Sequence, residues 1–158
     1  MKEIRSLVAE HAFFEGLDPA RLDLVAGCAS LAAFPAGAPI AREGDAADAF
    51  FAIRSGRVAI ELHSAGRGPL VIQTAGPGEV VGWSWLFPPY EWVFDARAAE
   101  DVRAIRFDGA CLRRKCDDDP AAGYDFMKRF ARVFVKRLEA SRLQLLDLYG
   151  TADHRGPR

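Results

Sequence analysis

Gly76-Pro-Gly-Glu-Val-Val-Gly-Trp-Ser-Trp-Leu-Phe-Pro-Pro-Tyr-Glu-Trp-Val-Phe-Asp-Ala-Arg-Ala98 is the stretch that decides how this chain folds. Gly76, Gly78 and Gly82 cluster around Pro77 and the strand end Val80-Val81. Glycines at that density let the backbone turn tightly and let a ligand approach the main chain. Trp83 to Phe87 are long enough for one helical turn, and Pro88-Pro89 stop it. A glycine turn feeding a short helix gathers backbone N–H groups at one point, which suits an anion. An apolar strand from Trp92 to Ala98 is predicted to run back past that point.

Upstream, glycines and prolines recur at short intervals from Pro35 to Gly82, with brief apolar segments between them. Val58, Ile60 and Leu62 alternate with Arg57, Ala59 and Glu61, the period-two pattern of a half-buried strand. Leu70 and Ile72 repeat it after the turn Gly66-Arg-Gly-Pro69, which predicts a hairpin. Ala49–Ile53 reads as a further strand, and Trp92–Ala98 and Val102–Phe107 bring the total to about eight. Short strands at regular spacing with glycine turns imply a mainly β fold, a sandwich or closed roll.

Helices flank this core. Residues 1–15 read as a short helix stopped at Gly16. Asp18-Pro19 reads as an N-cap and first position of a second helix that runs to about Cys28. After the strands, Asp108 caps a short helix carrying Cys111, Leu112 and Cys116. The triplet Asp117-Asp118-Asp119 and Pro120 then open a long helix, where acidic residues complement the dipole. Met127, Ala131, Phe134, Leu138, Ser141, Leu145 and Leu148 mark one stripe along it. Lys128, Arg129, Arg132, Lys136 and Arg142 lie on the other side as a solvated basic face, and Gly150 ends the helix. One domain is therefore expected over residues 1–150, with a polar tail over 151–158.

Composition narrows the function. The 158 residues are half hydrophobic and carry a formal net charge of −1, so no global field favours nucleic acid or a membrane surface. No apolar run approaches the roughly 20 residues of a membrane span. Charged residues among the first eleven argue against a signal peptide. Three cysteines are an odd set that does not read as a disulfide framework, Cys28 reads as a buried helix thiol, and a cytoplasmic location fits best. Cys111 and Cys116 are spaced for neither a chelate nor a zinc knuckle, and His11, His63 and His154 are scattered. Glu79 and Asp95 flank the glycine-rich stretch with no sign of a sugar substrate, so catalysis is not expected.

The order of elements and several motifs together resemble the cyclic nucleotide-binding domain family. The residues that carry the resemblance are Phe14-Glu-Gly-Leu17, Phe34-Pro-Ala-Gly37 with Ile40, Glu43-Gly-Asp45, Phe51 to Val58, Pro77-Gly-Glu-Val-Val-Gly82, Arg97 to Val102 and Phe107-Asp108. The resemblance covers about Phe13 to Gly150. It implies a β-roll whose phosphate-binding cassette is the Gly78–Ala98 stretch, and a long helix over 120–149 that serves as dimer seam and lid. Relatives that regulate transcription carry a helix-turn-helix after that helix, and too few residues follow Gly150 here for one, so DNA is not an expected partner.

The departures from the family pattern bear on the ligand. The glutamate that accepts from the ribose hydroxyl in the family falls at Trp83. The arginine that pairs with the cyclic phosphate falls at Trp92, counting back from Arg97-Ala98. A hydrogen bond to a charged group is worth about 1.5–3 kcal/mol, so losing two weakens binding by roughly hundreds-fold or more. Arg97 is placed on the opposite strand face and does not replace them.

Three readings stay open. The pocket takes another, flatter ligand stacked on tryptophan; or tryptophans fill it and the domain is a ligand-free dimerisation or docking module; or a cyclic nucleotide binds through backbone amides and Ser84. The candidate ligand-binding residues are Val81, Gly82, Trp83, Ser84, Trp85, Trp92, Val93 and Phe94. The expected role is a sensory or regulatory module whose cofactor is unknown. Its expected partners are a small-molecule ligand, a second copy through the long helix, or another protein.

Overall fold

A computed structural model describes residues 2–153. Eight strands form two antiparallel four-stranded sheets that face each other as a roll. The strands are β1 (Ala29–Phe34), β2 (Pro39–Ala41), β3 (Ala49–Ser55), β4 (Val58–Ser64), β5 (Gly68–Ala75), β6 (Val80–Val81), β7 (Asp95–Ala98) and β8 (Val102–Asp108). One sheet runs β1-β8-β3-β6, the other β2-β7-β4-β5. The helices α1 (Lys2–Glu10), α2 (Pro19–Ala26), α3 (Gly109–Asp118) and α4 (Pro120–Asp153) lie around the first sheet.

Strand alternation explains why that sheet is covered on both faces. Within β3, Ala49, Phe51 and Ile53 point into the roll, while Phe50 and Ala52 join the layer under the helices. Val102 and Ala104 of β8 face the roll, and Ile105 and Phe107 face the helices. Both sets are buried, so β3 reads as a continuous apolar run from Ala49 to Ile53, while β8 breaks its buried residues with Arg103 and Arg106. The helical layer is closed by Phe14, Val25, Leu112, Phe126 and Phe130, with Phe50 stacked on Phe107 at 4.6 Å. Gly56 is required by its turn: its φ is +84°, and a Cβ there would lie 2.2 Å from the Asp101 carbonyl oxygen.

Several expected boundaries move. The first helix stops at Glu10, and Ala12–Phe14 form a separate 3-10 turn capped by the His11 side chain. Gly16 follows with φ +79°, the left-handed geometry expected of a helix stop. The second helix ends at Ala26, because the chain must leave it to enter β1. The strand expected from Trp92 begins only at Asp95. Trp92 instead bonds the loop before β3, with its N–H on the Asp45 carbonyl and its carbonyl taking the Gly44 N–H. The hairpin β4–β5 forms with Leu62 opposite Leu70, yet the two are 40 and 45% exposed, since β7 pairs with β4 only as far as Glu61 and the hairpin end runs on beyond it.

Cys28 is not a helix thiol. It lies past the end of α2 and forms a disulfide with Cys111, leaving Cys116 free among the described residues. The two cysteines are 83 residues apart, and only the packing of α3 against the α2–β1 corner brings them together.

The long helix continues through Gly150 to Asp153. Asp119 caps its first turn by accepting from the Ala122 N–H, while Asp117 and Asp118 end α3. Its buried line is Ala122, Phe126 and Phe130, continued by half-buried Val133, Phe134 and Arg137. Of the predicted stripe, Phe134 packs, while Met127, Leu138, Leu145 and Leu148 are exposed at 41, 53, 53 and 69%. Arg129 also leaves the solvated face: it donates to the carbonyls of Phe13 and Glu15 and pairs with Asp125. A 34-residue helix is about 51 Å long. No helix among the described residues is long and apolar enough to cross a membrane. His154 and the rest of the expected tail from 154 on lie outside the described residues.

Candidate functional site

The glycine-rich stretch sits where the roll meets α4. Gly78, at φ +87°, turns the chain so that its N–H reaches the Ile53 carbonyl, and the Ile53 N–H returns to the Glu79 carbonyl. His11 caps the same point, its Nε2 on the Ile53 carbonyl at 2.8 Å and its Nδ1 accepting from the Phe13 N–H. Burial pushes the His11 imidazole below its usual value, opposed by the bond to Ile53. The pair β6 then sends Val80 to the helical layer and Val81 into the roll.

Gly82 follows at φ +102°. A Cβ there would lie 2.6 Å from Cη2 and 3.0 Å from Cζ3 of Trp92, so the indole rests directly on the glycine backbone. Trp92 is 5% exposed and packs edge-on to Phe94 at 5.7 Å. The missing side chain at 82 therefore admits the protein's own ring.

Trp83 opens a 3-10 turn over Ser84–Leu86, in which the Leu86 N–H bonds the Trp83 carbonyl. Its half-buried ring lies between Phe94 at 5.2 Å and Phe134 of α4 at 5.7 Å. The Arg137 guanidinium stacks 4.8 Å from the same ring and donates through Nη2 to the Val80 carbonyl at 2.5 Å. Among the described residues Arg137 Nη1 is buried without a partner. Burial pushes the guanidinium below its ordinary value, opposed by the Glu79 carboxylate. Sequence reasoning missed Arg137, whose identity on a basic helix gives no sign that it turns inward.

Val81, Gly82, Trp83, Trp92 and Phe94 form one packed wall, and Trp85 and Val93 do not join it. Val81, Gly82, Ser84, Trp92 and Phe94 are buried, and Trp83 is half-buried at their edge. Trp85 is buried, but it turns into the helical layer, stacked on Phe50 at 5.4 Å. Its Nε1 has no partner, while Arg113 donates to its carbonyl and stacks on Tyr90 at 4.1 Å. Val93 is 53% exposed in the bend that precedes β7. Arg97 faces outward as expected and pairs with Glu61 through Nη2 at 2.6 Å. Asp95 accepts from the Glu43 N–H and pairs with His63, so it does not face Glu79, which holds the Gly76 N–H.

The free space lies outside this wall. A cleft of about 610 Å³ is bounded by Ile72 and Gln73 of β5, by Trp83 and Phe87, and by Phe134, Arg137, Leu138, Ser141 and Gln144 of α4. Gln144 Nε2 donates to the Ile72 carbonyl at 3.3 Å and closes one end. Apolar walls with a few converging polar groups and a volume of this order are what small-molecule sites present. A second cleft of about 480 Å³ lies on the other side of Arg137, near the 3-10 turn Ala12–Phe14. No group of three or more His, Cys, Asp or Glu among the described residues could hold a metal ion.

Residues 31–119 match the family model of the cyclic nucleotide-binding domain. A CRP-like cAMP-activated global transcriptional regulator of Mycobacterium tuberculosis is 26% identical over 145 residues, 92% of this chain and 63% of that protein. A cyclic AMP receptor protein of Thermus thermophilus is 30% identical over 135 residues, 84% of this chain and 59% of that protein. The chain thus spans about three-fifths of the length of these curated relatives. Among solved structures, a cyclic nucleotide-binding domain from Methylobacillus flagellatus KT shares the fold with a TM-score of 0.76 at 18% identity, over 92% of this chain and 82% of that one.

Proposed function

This chain belongs to the cyclic nucleotide-binding domain family, and from that premise we propose that it is a non-catalytic sensory module in which the usual ligand is replaced. The observation that carries this is the Trp92 ring lying on Gly82, where the family resemblance places the arginine that meets the cyclic phosphate. With Trp83 standing for the ribose-binding glutamate, neither charged contact is available. The cleft beside Trp83 is the ligand site in this proposal. It suits a flat ligand stacked on the exposed part of the indole, with an acidic edge toward Arg137 and a hydrogen-bonding edge toward Ser141 or Gln73.

The cleft is walled on one side by the cassette and on the other by α4, so an occupant touches both. Displacing Phe134 or Arg137 from Trp83 would shift α4, the two-state element that such a switch requires. The output surface is the outer part of α4, where Leu138, Leu145 and Leu148 are exposed, and a second copy of the chain is the proposed partner there. These exposed residues also support a second reading, a ligand-free docking module that works through the same helix.

Tryptophan emission tests the choice, because Trp83, Trp85 and Trp92 all lie in the cassette. Titration with cyclic AMP, cyclic GMP and a panel of planar heteroaromatic acids is expected to give a saturable change with a member of the acid panel, lost in Arg137→Met. Silence across the panel favours the docking reading. Micromolar saturation by a cyclic nucleotide contradicts the proposal.

A further inference from the structure

The helix α3 is fastened to three parts of the molecule. Toward the N-terminal helices, Lys115 Nζ donates to the Leu24 carbonyl at 2.7 Å, and Cys111 is bonded to Cys28. Toward the cassette, Arg113 holds the Trp85 carbonyl and the Tyr90 ring. Toward α4, Cys116 backs onto Gly123 so closely that a Cβ there would meet the cysteine Cβ at 3.2 Å. The helix α3 thus ties the N-terminal helices to the cassette and to the start of α4, beside the direct contact of Trp83 with Phe134 and Arg137, and the Cys28–Cys111 bond is the covalent member of the set.

We propose that Cys28 and Cys111 form a reversible thiol–disulfide couple that governs how firmly α3 is held to the α2–β1 corner. The co-reactant is a small-molecule disulfide of the glutathione class. Cys111 is the half-buried partner in the first turn of α3, and Cys28 is 7% exposed, so Cys111 is the point of entry. Its thiolate attacks one sulfur of the small disulfide and expels a thiolate. Cys28, losing its proton, then attacks the mixed disulfide at Cys111 and expels the second thiolate. The protein loses two electrons and two protons, and the small disulfide becomes two thiols. Cys116 stands apart from the couple: it packs on Gly123 of α4, and burial, with the Asp117 and Asp119 carboxylates beside it, pushes its thiol up.

The full chain is equilibrated in buffers of varied reduced-to-oxidised glutathione ratio, alkylated and mapped by mass spectrometry. Three alkylated cysteines are expected under strongly reducing conditions. Under oxidising ones, a Cys28–Cys111 linked peptide with only Cys116 alkylated is expected, the two forms interconverting within the range of the buffers. Amide exchange across α3 is expected to slow at least tenfold in the oxidised form of the wild type and of Cys116→Ser, and to ignore the buffer in Cys111→Ser. A link that never forms, that involves Cys116, or that persists through the most reducing buffer overturns the couple. Interconversion with α3 exchange unchanged within twofold overturns the clamping role.

Discussion

Trp92 and Gly82 form a pair that a double-mutant cycle can isolate. In Gly82→Ala the new methyl would stand 2.6 Å from Trp92 Cη2, and the backbone would keep a φ of +102°. The strained backbone costs roughly 1–3 kcal/mol. Forcing a methyl into a filled site adds roughly 1–3 kcal/mol, because a 5%-exposed indole hemmed by Phe94 has little room to retreat. In a Trp92→Ala background, itself costing about 3–5 kcal/mol, only the backbone part should remain. Urea unfolding followed by far-UV circular dichroism, near 15 °C where such domains are most stable, gives all four free energies. The expected result is a coupling of about 1–3 kcal/mol, with Gly82→Ala less harmful once the ring is gone. Equal costs in both backgrounds would refute the claim that the indole occupies this space.

The other predictions concern neighbouring elements. His11 has a lowered pKa in the folded protein, so the unfolded chain takes up the proton first as pH falls; stability is full above the usual histidine range and is lost as pH drops through it toward the folded pKa. His11→Gln should flatten that slope in urea titrations between about pH 7.5 and 5. Asp108→Ala removes the side chain that caps α3 through the Cys111 N–H and should cost about 1 kcal/mol in the same unfolding assay. Leu145→Glu with Leu148→Glu alters residues 53 and 69% exposed, so monomer stability should move by less than about 0.5 kcal/mol. Sedimentation equilibrium should show self-association lost in that pair.

How much the sequence revealed depended on whether the signal was local. The total of about eight strands, and the places of β3, β4, β5 and β8, follow from short apolar segments between glycine turns, which are properties of adjacent residues, while β1 and β2 carry too weak a pattern to be placed. The cap at Asp108 was legible for the same reason, and so was the left-handed turn at Gly16, though it follows a 3-10 turn and not the first helix, which ends at Glu10. On α4, apolar residues occur on more than one line of helical spacing. The line through Phe126 and Phe130 is selected only by the aromatic layer of Phe13, Phe50 and Trp85 waiting beneath it. The Cys28–Cys111 bond is invisible in spacing, since its partners meet only when α3 docks. At the site, Arg97 faces outward as expected, and Trp92 packs with Phe94, though both rings precede the strand expected to group them. Alternation did not separate Trp85 from Trp83, because a 3-10 turn intervenes: Trp85 sinks into the helical layer, while Trp83 stays at the seam between that layer and the roll. Arg137 stayed hidden because a charged residue turned toward a tryptophan face looks, in sequence, like one turned to water.

Calorimetric titration of cyclic AMP into the wild type and into Trp83→Glu/Trp92→Arg tests the central claim most directly. The wild type is expected to show no saturable binding at micromolar ligand, and the double variant to gain affinity by at least a hundredfold, as restoring two charged hydrogen bonds of about 1.5–3 kcal/mol each requires. Micromolar binding by the wild type, unchanged in the variant, would contradict a cassette closed by its own tryptophans.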